Sequence, residues 1–351
     1  MPAELHWKCG ARTLCGGELM AFPSEIVARP STVKAAVKRY PKTATPEIDF
    51  KRSLGQVARS TEILLDRLFA SSAAPGEVAR PQRLLKAMRY SSLGGGKRIR
   101  PFLVVATAEL FAVPRRQALM VAAALECIHC YSLVHDDLPA MDNDRLRRGR
   151  PTTHVAFDEA TAILAGDGLL TFAFDVVSRP QVHPDAKIRV ELVSALARAA
   201  GVGGMAGGQM LDLAAEGRFS SELKHDADDV KLIQTMKTGA LLKFGCVSGA
   251  ILGGADRKSQ SALERYGAAI GEAFQVADDL LDVEGDSATV GKATGKDAAA
   301  HKATFVSLGG VDGARARLNR LVGEAEEAIA LFGRSGVVLR AAARFIASRR
   351  S

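Results

Sequence analysis

Aromatic residues and cysteines are scarce in this sequence. Phe, Trp and Tyr make up 5% of the 351 residues, and no stretch alternates apolar and polar residues over the length of a strand. The cysteines are Cys9, Cys15, Cys127, Cys130 and Cys246. Only Cys127 and Cys130 form a CxxC pair, and no second pair completes a zinc site, so we interpret them as ordinary buried thiols. Free thiols favour a reducing, cytoplasmic setting.

The sequence also lacks the marks of nucleic-acid-binding and membrane-spanning proteins. No zinc-finger spacing, aromatic RNP-like motif or basic helix is present, which argues against a nucleic-acid partner. The net charge of +8 fits either a basic soluble surface or acidic ligands such as phosphates. The longest apolar stretch, ALMVAAALECIHCYSLV, contains Glu126 and His129, so we expect a buried core helix and no stable membrane insertion.

Helical periodicity is what the sequence has in abundance. From Ile48 onward apolar residues recur three and four positions apart, as in IDFKRSLGQVARSTEILLDRLF. Besides this stretch we predict helices over approximately 114–136, 158–178, 185–215, 228–253, 258–283, 297–308, 312–332 and 336–349. Because most of these segments are long or apolar on several faces, they should pack into one large all-α bundle.

Residues 1–46 differ from the rest of the chain. They contain several prolines and basic residues and no sustained apolar period. We predict a mobile extension that is dispensable. An organelle-targeting peptide is the alternative, because basic, acid-poor leaders serve that purpose. However, the stretch has no clear amphipathic Arg/Ser pattern, and Met20 offers an alternative start.

Two acidic clusters each end an apolar helix: HDDLPAMDND at 135–144 and QVADDLLDVEGD at 275–286. Acids at a helix C-terminus oppose the macrodipole, so they lie there at an energetic cost. Carboxylates without a His or Cys ligand pattern select hard cations, and Mg²⁺ typically uses one or two carboxylates, water and substrate phosphates. A solvated helix end would explain one such cluster, but two of the same form predict a Mg²⁺–diphosphate site.

The spacing within each cluster indicates how the carboxylates meet. Asp278 and Asp282 are four positions apart and share a helix face. Asp136 and Asp142 are six positions apart, about 240° around an ideal helix, which would point them away from each other. Pro139 lies between them and breaks or bends a helix. We therefore expect the helix to loosen after Asp137 and to bring Asp142 back toward Asp136.

Basic residues accompany the acids. GGGKRIRP supplies Lys97, Arg98 and Arg100 at an expected helix start, where phosphate binding is favourable, although the motif is not a P-loop. RLRRGRPTTH follows the first acidic cluster and supplies Arg147 and Arg148. Further candidates are Lys237 and Thr238 in MKTGALLKFG, followed by Lys292 and Lys302. Any one of these is more often a surface charge, but together they suffice for two diphosphates.

Four glycines, Gly203, Gly204, Gly207 and Gly208, recur at four-residue intervals in GVGGMAGGQMLDL, which we predict to be helical. Each glycine inside a helix costs about 1 kcal/mol relative to alanine. Close approach of a neighbouring helix would compensate this cost, and so would room for a ligand.

The ordered set of motifs resembles the trans-type (head-to-tail) polyprenyl diphosphate synthases, most of all the bacterial farnesyl diphosphate synthases. The resemblance extends from about Ile48 to the end. It rests on GGGKRIRP, ECIHCYSLVHDDLPAMDNDRLRRG, PTTH, ILAGDGLL, GGQMLDL, KTGALL and FQVADDLLDVEGD followed by GK. It implies an all-α isoprenoid-synthase fold with a deep central cavity, a catalytic domain over 47–351 and a homodimer. It also implies Mg²⁺ as cofactor, about three ions per active site, with Mn²⁺ as a substitute.

The resemblance also assigns roles to individual residues. Mg²⁺ would be held by Asp136, Asp142 and Asp278, with support from Asp137, Asp279 and Asp282. The isopentenyl diphosphate site would comprise Lys97, Arg100, His129 and Arg148. The allylic diphosphate site would comprise Arg147, Lys237, Thr238, Gln275 and Lys292, with Lys302 as a further contact. The predicted catalytic residues are Asp136, Asp142, Asp278, Arg147 and Lys237.

Two residues depart from the pattern of these synthases. Arg145 stands where close relatives often carry another acid, and Phe305 stands where we expect Tyr. Neither position belongs to the central acids, so we expect effects on rate or affinity rather than loss of activity.

The implied reaction is the Mg²⁺-dependent condensation of isopentenyl diphosphate with dimethylallyl and geranyl diphosphate to give farnesyl diphosphate. Tyr131 lies five residues before Asp136, roughly 7 Å along the helix axis. Together with Ser132 beside it, this bulky side chain would close the cavity after a C15 chain. The alternatives are a geranylgeranyl or geranyl diphosphate synthase, or a non-catalytic partner subunit. A terpene cyclase is disfavoured, because cyclases generally lack the GGGKRIRP-type site.

Overall fold

The computed structural model describes residues 46–219, 226–284 and 304–348. Its helices are α1 (Pro46–Leu68), α2 (Gln82–Ser92), α3 (Ile99–Glu109), α4 (Arg115–Asp136), α5 (Thr153–Ala156), α6 (Glu159–Ser178), α7 (Ala186–Ala200), α8 (Met205–Ala215), α9 (Ala227–Gln234), α10 (Ala240–Leu252), α11 (Arg257–Glu284), α12 (Phe305–Ala328) and α13 (Val337–Ala347). A π turn (Thr235–Gly239) joins α9 to α10, and a 3₁₀ helix (Ala330–Gly336) precedes α13. The strands β1 (Leu146–Arg147) and β2 (Arg150–Pro151) form a short antiparallel hairpin. The prediction of an all-α protein is confirmed.

Polar side chains determine where several helices begin. At the start of α6, the Asp158 carboxylate accepts a hydrogen bond of 2.7 Å from the backbone N–H of Thr161. At the start of α12, the hydroxyl of Thr304 accepts from the backbone N–H of Ser307, and the Ser307 hydroxyl accepts from Thr304 in return. Such caps satisfy backbone donors that have no partner within the helix.

Helix α4 lies at the centre of the bundle and packs against α1, α3, α6 and α10. Its residues 121–125 have no exposed surface, and three of them are alanines that let the neighbouring helices approach. Both α4 and α6 are long and apolar enough to cross a membrane by length and composition alone. The apolar window of α4 is 67% buried within the protein, which confirms the prediction of a core helix.

Helix α11 brings the second acidic cluster to the same bundle. It packs against α10 on one side and α12 on the other, and its N-terminal part contacts α13. It also contacts the π turn, which carries Lys237 and Thr238. Its last turns therefore lie beside the segment that supplies two of the predicted diphosphate-binding residues.

The prediction of a single helix over 185–215 is wrong. The chain forms α7 and α8, which are separated by residues 201–204. A Cβ atom on Gly204 would collide with the carbonyl oxygen of Ala199, so this tight turn requires glycine. Gly203 and Gly204 lie in the turn, and only the second glycine pair belongs to α8.

Some predictions fall on residues that the structure does not describe. The extension predicted over 1–46 lies outside the described residues except for Pro46, which begins α1. The first seven residues of the helix predicted over 297–308 also lie outside, and its last part belongs to α12.

Candidate active site

The first acidic cluster folds back on itself at the end of α4. The backbone N–H of Asp142 donates a hydrogen bond of 2.8 Å to the carbonyl oxygen of Asp136, and Asn143 donates to the carbonyl of Leu138 at 3.0 Å. Asn143 adopts a left-handed φ of 51°, a conformation that asparagine tolerates better than most residues. The helix thus ends where we expected it to loosen, and the chain returns Asp142 to Asp136.

An arginine from α8's C-terminal end holds this loop from outside. Arg218 donates from Nη1 to the carbonyl oxygen of Ala140 at 2.9 Å and from Nη2 to that of Met141 at 2.5 Å. Its Nε lies 3.2 Å from Glu216. The carbonyls of two loop residues next to Asp142 are therefore fixed by one guanidinium group.

Asp136 is half-buried and surrounded by charged groups from several segments. Burial, together with the negative charge of Asp142, raises its pKa to about 6. Lys237 and Arg147 act in the opposite direction and lower the pKa. Two carboxylates and two cationic side chains from separate parts of the chain therefore interact electrostatically.

Asp137 is 3% exposed and grips Arg147. Arg147 Nε donates to Asp137 Oδ1 at 2.8 Å and to Oδ2 at 3.0 Å, and Nη2 lies 2.6 Å from Oδ1. Burial raises the pKa of Asp137, while its hydrogen bonds with Arg147 lower it. The two oxygens of Asp137 are thus engaged in fixing the orientation of Arg147.

The second acidic cluster shows the same division between two adjacent aspartates. Asp278 is exposed, whereas Asp279 is 2% exposed. Asp279 Oδ1 accepts from Gln275 Nε2 at 2.9 Å, and Oδ2 accepts from the backbone N–H of Phe305 at 3.1 Å and from Gln234 Nε2 at 3.4 Å. Asp279 therefore ties the first residue of α12 and a side chain of α9 to α11.

Phe305 is buried where we expected a tyrosine. Its ring faces the Arg317 guanidinium at 4.7 Å, and Arg317 forms an ion pair with Glu272. The ring thus packs against a cation that is itself held by a carboxylate. This contact uses the aromatic face, which phenylalanine provides as well as tyrosine would.

The π turn presents Lys237 and Thr238. Lys237 Nζ donates to Asp212 Oδ2 on α8 at 2.6 Å, and the Thr238 hydroxyl lies 3.4 Å from Gln275 Oε1. A Cβ atom on Gly208 would collide with the backbone nitrogen of Lys237, so α8 and the π turn touch backbone to backbone. Close packing therefore explains the glycine pair in α8. Single π turns inside helices often occur at functional sites.

Asp212 was not among the predicted site residues. It lies within GGQMLDL, but its partner Lys237 is 25 residues away along the chain. Gln234, which donates to Asp279, was also missed. No local spacing could have revealed either pair, because each contact depends on how two helices cross.

The GGGKRIRP segment divides into a buried and a solvent-facing part. Arg98 is 3% exposed, has a left-handed φ of 50° and forms an ion pair with Glu126. It also donates to the carbonyl of Ser92 at 2.6 Å and lies 3.2 Å from Glu62. Arg98 is therefore a structural residue of the core. Lys97 is exposed and remains a candidate for phosphate binding.

Arg100, at the start of α3, meets His129 of α4. Arg100 Nη1 and His129 Nε2 are 3.5 Å apart. Burial lowers the pKa of His129 well below its usual value, and the nearby charges of Arg100 and Arg148 lower it further. The imidazole is therefore neutral at physiological pH, and since arginine can only donate, Nε2 is the accepting nitrogen.

Arg148 lies at the tip of the hairpin. Arg148 and Gly149 form its two-residue loop with φ values of 54° and 71°, which is the type I′ geometry that suits the twist of paired strands. A left-handed conformation costs roughly 1–2 kcal/mol for a residue other than glycine. The guanidinium of Arg148 donates to the carbonyl oxygen of Gly95. Arg148 is thus held toward the segment that carries Lys97.

The remaining predicted residues have the following places. Tyr131 is half-buried on α4, and its ring meets His135 edge to face at a centroid distance of 5.8 Å. Ser132 donates to the carbonyl of His129 at 2.9 Å. Lys292 and Lys302 lie outside the described residues. The assigned roles in metal, substrate and chain-length control therefore stay predictions.

The donor set suits Mg²⁺. In the part of the chain that the structure describes, no three or more His, Cys, Asp or Glu side chains form a cluster that would bind a metal alone. The acids that converge here offer oxygen atoms only, and the crowding of Asp136 by Asp142 is a cost that a divalent cation would relieve. One or two carboxylates completed by water and substrate phosphates are what Mg²⁺ prefers.

A cavity of about 920 Å³ lies on the side of the π turn that faces α11 and α12. Thr235, Gly239, Lys243, Glu272 and Leu321 are among its lining residues. No described residue of either acidic cluster belongs to this lining, and Asp136, Asp142, Arg147 and Lys237 are not part of it.

Comparison with known proteins identifies the family. Residues 81–332 match the polyprenyl synthetase family. The chain is 46% identical over 250 residues to farnesyl diphosphate synthase of Escherichia coli strain K12, which covers 70% of this chain and 81% of that enzyme. It is 42% identical over 269 residues to geranylgeranyl diphosphate synthase of Cyanophora paradoxa, covering 77% of this chain and 88% of that enzyme.

A solved structure agrees with this assignment. The apo structure of a FPP/GFPP synthase from Zymomonas mobilis superposes with a TM-score of 0.75 and 43% sequence identity. The match covers 86% of this chain and 100% of that one. The isoprenoid-synthase fold that the motifs predicted is confirmed. This chain belongs to the polyprenyl synthetase family.

Proposed function

We propose that this protein is a prenyltransferase that condenses isopentenyl diphosphate head to tail with dimethylallyl and then geranyl diphosphate, giving farnesyl diphosphate. The observation that carries the proposal is the surroundings of Asp136. This carboxylate lies near Asp142 and near Arg147 and Lys237, which come from other segments. A metal–diphosphate substrate requires carboxylates that bind the divalent cation and, beside them, cationic side chains that bind the diphosphate.

The proposed metal ligands are Asp136, Asp142 and Asp278. Bound Mg²⁺, about three ions per active site, would neutralise the diphosphate leaving group so that the allylic C–O bond can break, and Mn²⁺ would substitute. The backbone hydrogen bond between Asp142 and Asp136 holds the first two ligands in register. The fixed position of Asp279 orients the last turns of α11, on which Asp278 lies.

The proposed substrate sites divide the basic residues. Lys97, Arg100, His129 and Arg148 would bind isopentenyl diphosphate. The allylic diphosphate would be bound by Arg147, Lys237, Thr238, Gln275 and Lys292. Arg147 and Lys237 are held by Asp137 and Asp212, so their charges are oriented before the substrate arrives.

The reaction then needs positioning and charge stabilisation rather than a protein nucleophile. As the allylic C–O bond breaks, Arg147 and Lys237 stabilise the negative charge that develops on the departing diphosphate. The double bond of isopentenyl diphosphate attacks the allylic carbocation and forms the new C–C bond. Loss of a proton, with the released diphosphate as the base, leaves a chain longer by one five-carbon unit.

Product length would depend on Tyr131. It lies on α4 one turn before Asp136 and is partly buried, and a bulky side chain there would shorten the space available to a growing tail. Replacing Tyr131 with alanine should shift the products from C15 toward longer chains, which chromatography of the dephosphorylated products measures. Products that remain C15 would rule out this residue as the length determinant.

A geranylgeranyl diphosphate synthase is the second candidate. It is favoured by the relatives, which bear the names of farnesyl and of geranylgeranyl diphosphate synthases at similar identity. A non-catalytic subunit is disfavoured, because both acidic clusters and their basic partners are present.

We also propose a cytoplasmic homodimer. Helix α6 is apolar over a span of membrane-crossing length, yet only 39% of that window is buried in the single chain. Ile163 and Leu164 of α6 are 45% and 57% exposed, and Val190 of α7 is 67% exposed. A second copy covering this face would remove these side chains from water.

One assay tests the proposed activity. The full chain is incubated with Mg²⁺, radiolabelled isopentenyl diphosphate and dimethylallyl, geranyl or farnesyl diphosphate, and the chain length of each product is determined. We expect farnesyl diphosphate from the first two primers and little turnover of the third. Absence of turnover with every allylic primer would contradict the proposed function, and efficient use of farnesyl diphosphate would favour the second candidate.

A further inference from the structure

Tyr90 and Arg150 connect two segments that the proposed reaction needs but have no role in it so far. Tyr90 lies near the end of α2, and its hydroxyl donates a hydrogen bond of 2.7 Å to the carbonyl oxygen of Pro151. The Arg150 guanidinium lies over the Tyr90 ring at 4.4 Å from its centroid. Phe157 meets the same ring edge to face at 5.6 Å. Phe157 thus packs against the Tyr90 ring, and Tyr90 contacts the hairpin through Arg150 and Pro151.

The hairpin also packs closely on the glycine loop, Gly94–Gly96, at positions where any side chain would be in the way. A Cβ atom on Gly94 would lie 2.8 Å from Arg150 Nη1, and one on Gly96 would lie 2.5 Å from Arg148 Nη1. Arg148 donates to the carbonyl of Gly95, which lies between them. Two guanidinium groups of the hairpin therefore lie directly on the backbone of this loop.

The other end of the hairpin is attached independently of the glycine loop. Arg147 is bound by Asp137, and Thr152 donates from its hydroxyl to the carbonyl of Asp144 at 2.8 Å and from its backbone to that of Arg145 at 3.0 Å. These contacts fix the hairpin to the first acidic cluster. They do not fix its distance from the glycine loop, so this distance depends on the contacts of Tyr90, Arg148 and Arg150.

The distance matters because the two segments contribute different halves of one proposed site. Lys97 and Arg100 follow the glycine loop, whereas Arg148 lies at the tip of the hairpin. A diphosphate bound by both halves requires their charges at a fixed separation. The left-handed backbone conformation of Arg148 is unfavourable for a residue other than glycine. Its position therefore depends on contacts with neighbouring residues.

We propose that Tyr90 and Arg150 form a latch that positions Arg148 against Lys97 and Arg100 and thereby sets the affinity for isopentenyl diphosphate. Arg150 is a positioning residue in this inference and does not touch the substrate. The inference rests on the proposed function, since it assigns the latch to the isopentenyl diphosphate site.

The test compares single and double variants of the full chain. Arg150→Ala removes the cation from the ring, and Tyr90→Leu removes the ring and its hydroxyl. Exposed cation–π pairs contribute about 0.5–1 kcal/mol, so each variant should raise the KM for isopentenyl diphosphate by about two- to fivefold. We expect kcat and the KM for geranyl diphosphate to change less than twofold. The double variant should resemble the single ones, because either change alone opens the latch.

Two further variants control for effects that do not involve the latch. Arg116→Ala removes an exposed arginine at the start of α4, outside the latch and the proposed substrate sites, so it controls for loss of positive charge. Arg179→Ala removes a guanidinium that lies over another ring, that of Phe172 at 5.6 Å, and controls for loss of a cation–π pair elsewhere. Both should leave the KM for isopentenyl diphosphate within twofold of the wild-type value.

Each result has one meaning. An unchanged KM in Arg150→Ala would overturn the latch, and additive effects in the double variant would mean that Tyr90 and Arg150 act independently, which also overturns it. If Arg150→Ala fails to fold, Tyr90→Phe removes only the hydrogen bond to Pro151, and an unaltered KM would then count against the latch. Absence of turnover in the wild type would instead refute the proposed function, and titration of inorganic diphosphate into the same variants would still test the latch.

Discussion

The two acidic clusters pair an outer and a buried aspartate in the same order, but they are built by different means. Asp136 and Asp278 come first in their pairs and are the more exposed members, whereas Asp137 and Asp279 are 3% and 2% exposed. In the first cluster the helix ends and a loop returns the third acid, with Arg147 and Arg218 as external supports. In the second cluster the helix continues to Glu284.

The comparison shows that two similar arrangements of carboxylates can be stabilised by different kinds of groups. The first cluster is held by cations that bind its carboxylate and its carbonyls. The second is held by N–H donors from Gln275, Gln234 and the first residue of α12, all converging on Asp279. We therefore expect the outer aspartates to govern turnover and the buried ones to govern stability.

The largest effect should follow from removing an outer aspartate. Asp136→Asn and Asp278→Asn should each lower kcat about a thousandfold or more, because stabilisation of the leaving group by a metal contributes several kcal/mol. Initial rates at saturating Mg²⁺ measure this loss. Asp312→Asn, which changes an exposed acid on α12, is the matched control. Equal rates in Asp278→Asn and the control would remove Asp278 from the proposed site.

Replacing a buried aspartate should mainly lower the stability of the folded protein. Asp279→Asn should lower the free energy of unfolding by about 2–3 kcal/mol, because an amide cannot accept on both sides as the carboxylate does. Asp137→Asn should cost a similar amount, since it leaves the partly buried Arg147 charge poorly paired. Urea unfolding at an unchanged m-value measures both. Asp278→Asn should stay within about 0.5 kcal/mol of wild type, and a stable Asp279→Asn would contradict the division between the two aspartates.

A smaller, pH-dependent effect should distinguish Asp136. Its pKa of about 6 in the folded protein lies above the unfolded value, so the folded state binds more protons between these two values. The metal-free protein should therefore lose stability as the pH rises from about 4 to about 6. Asp136→Asn should remove this loss and be more stable than wild type above pH 6, by about 1–2 kcal/mol.

Thermal unfolding across this pH range, with and without Mg²⁺, provides the measurement. Mg²⁺ should reduce the difference between the two proteins above pH 6, because it binds the ionised carboxylate. Parallel stability curves for wild type and Asp136→Asn would show that burial does not disfavour this charge.

The smallest effect concerns the hydrogen bonds that Arg218 donates to the loop of the first cluster. Arg218→Ala should raise the Mg²⁺ concentration for half-maximal rate about threefold to tenfold, because the loop that carries Asp142 loses two hydrogen bonds of about 0.5–1.5 kcal/mol each. Mg²⁺ titration of the initial rate measures this change. Arg189 also donates to two backbone carbonyls, of His183 and Pro184, so Arg189→Ala is a matched control. An unaltered Mg²⁺ requirement in Arg218→Ala would show that the loop holds itself.

Much of the fold was predictable because its signals are local. Periodic apolar residues located α4 and α11 to within about a turn, and Pro139 between separated acids indicated the loop that the hydrogen bond from Asp142 to Asp136 closes. The break between α7 and α8 was missed, since glycine pairs weaken a helix without showing whether the chain turns there.

The rest of the site depends on contacts between distant segments. Nothing in KRIR distinguishes Arg98, which faces the core, from Lys97, which faces solvent, because the ion-pair partner of Arg98 is Glu126 on a different helix. The pairing of Lys237 with Asp212 likewise depends on how α8 approaches the π turn. The hairpin was missed because arginine is an unusual residue for the first position of a type I′ loop.

The π turn has a consequence for how the chain is aligned with its relatives. A π turn is an α-helix that has accepted one additional residue, so the continuous helical path from Ala227 to Leu252 contains one more residue than a regular helix of the same length. Deleting one residue from the π turn would restore a regular α-helix and leave α9 and α10 in nearly the same relative orientation, so the change would be confined to the turn itself. In an alignment, a single-residue gap at 235–239 would therefore indicate a relative that lacks the π turn presenting Lys237 while its flanking helices stay in place.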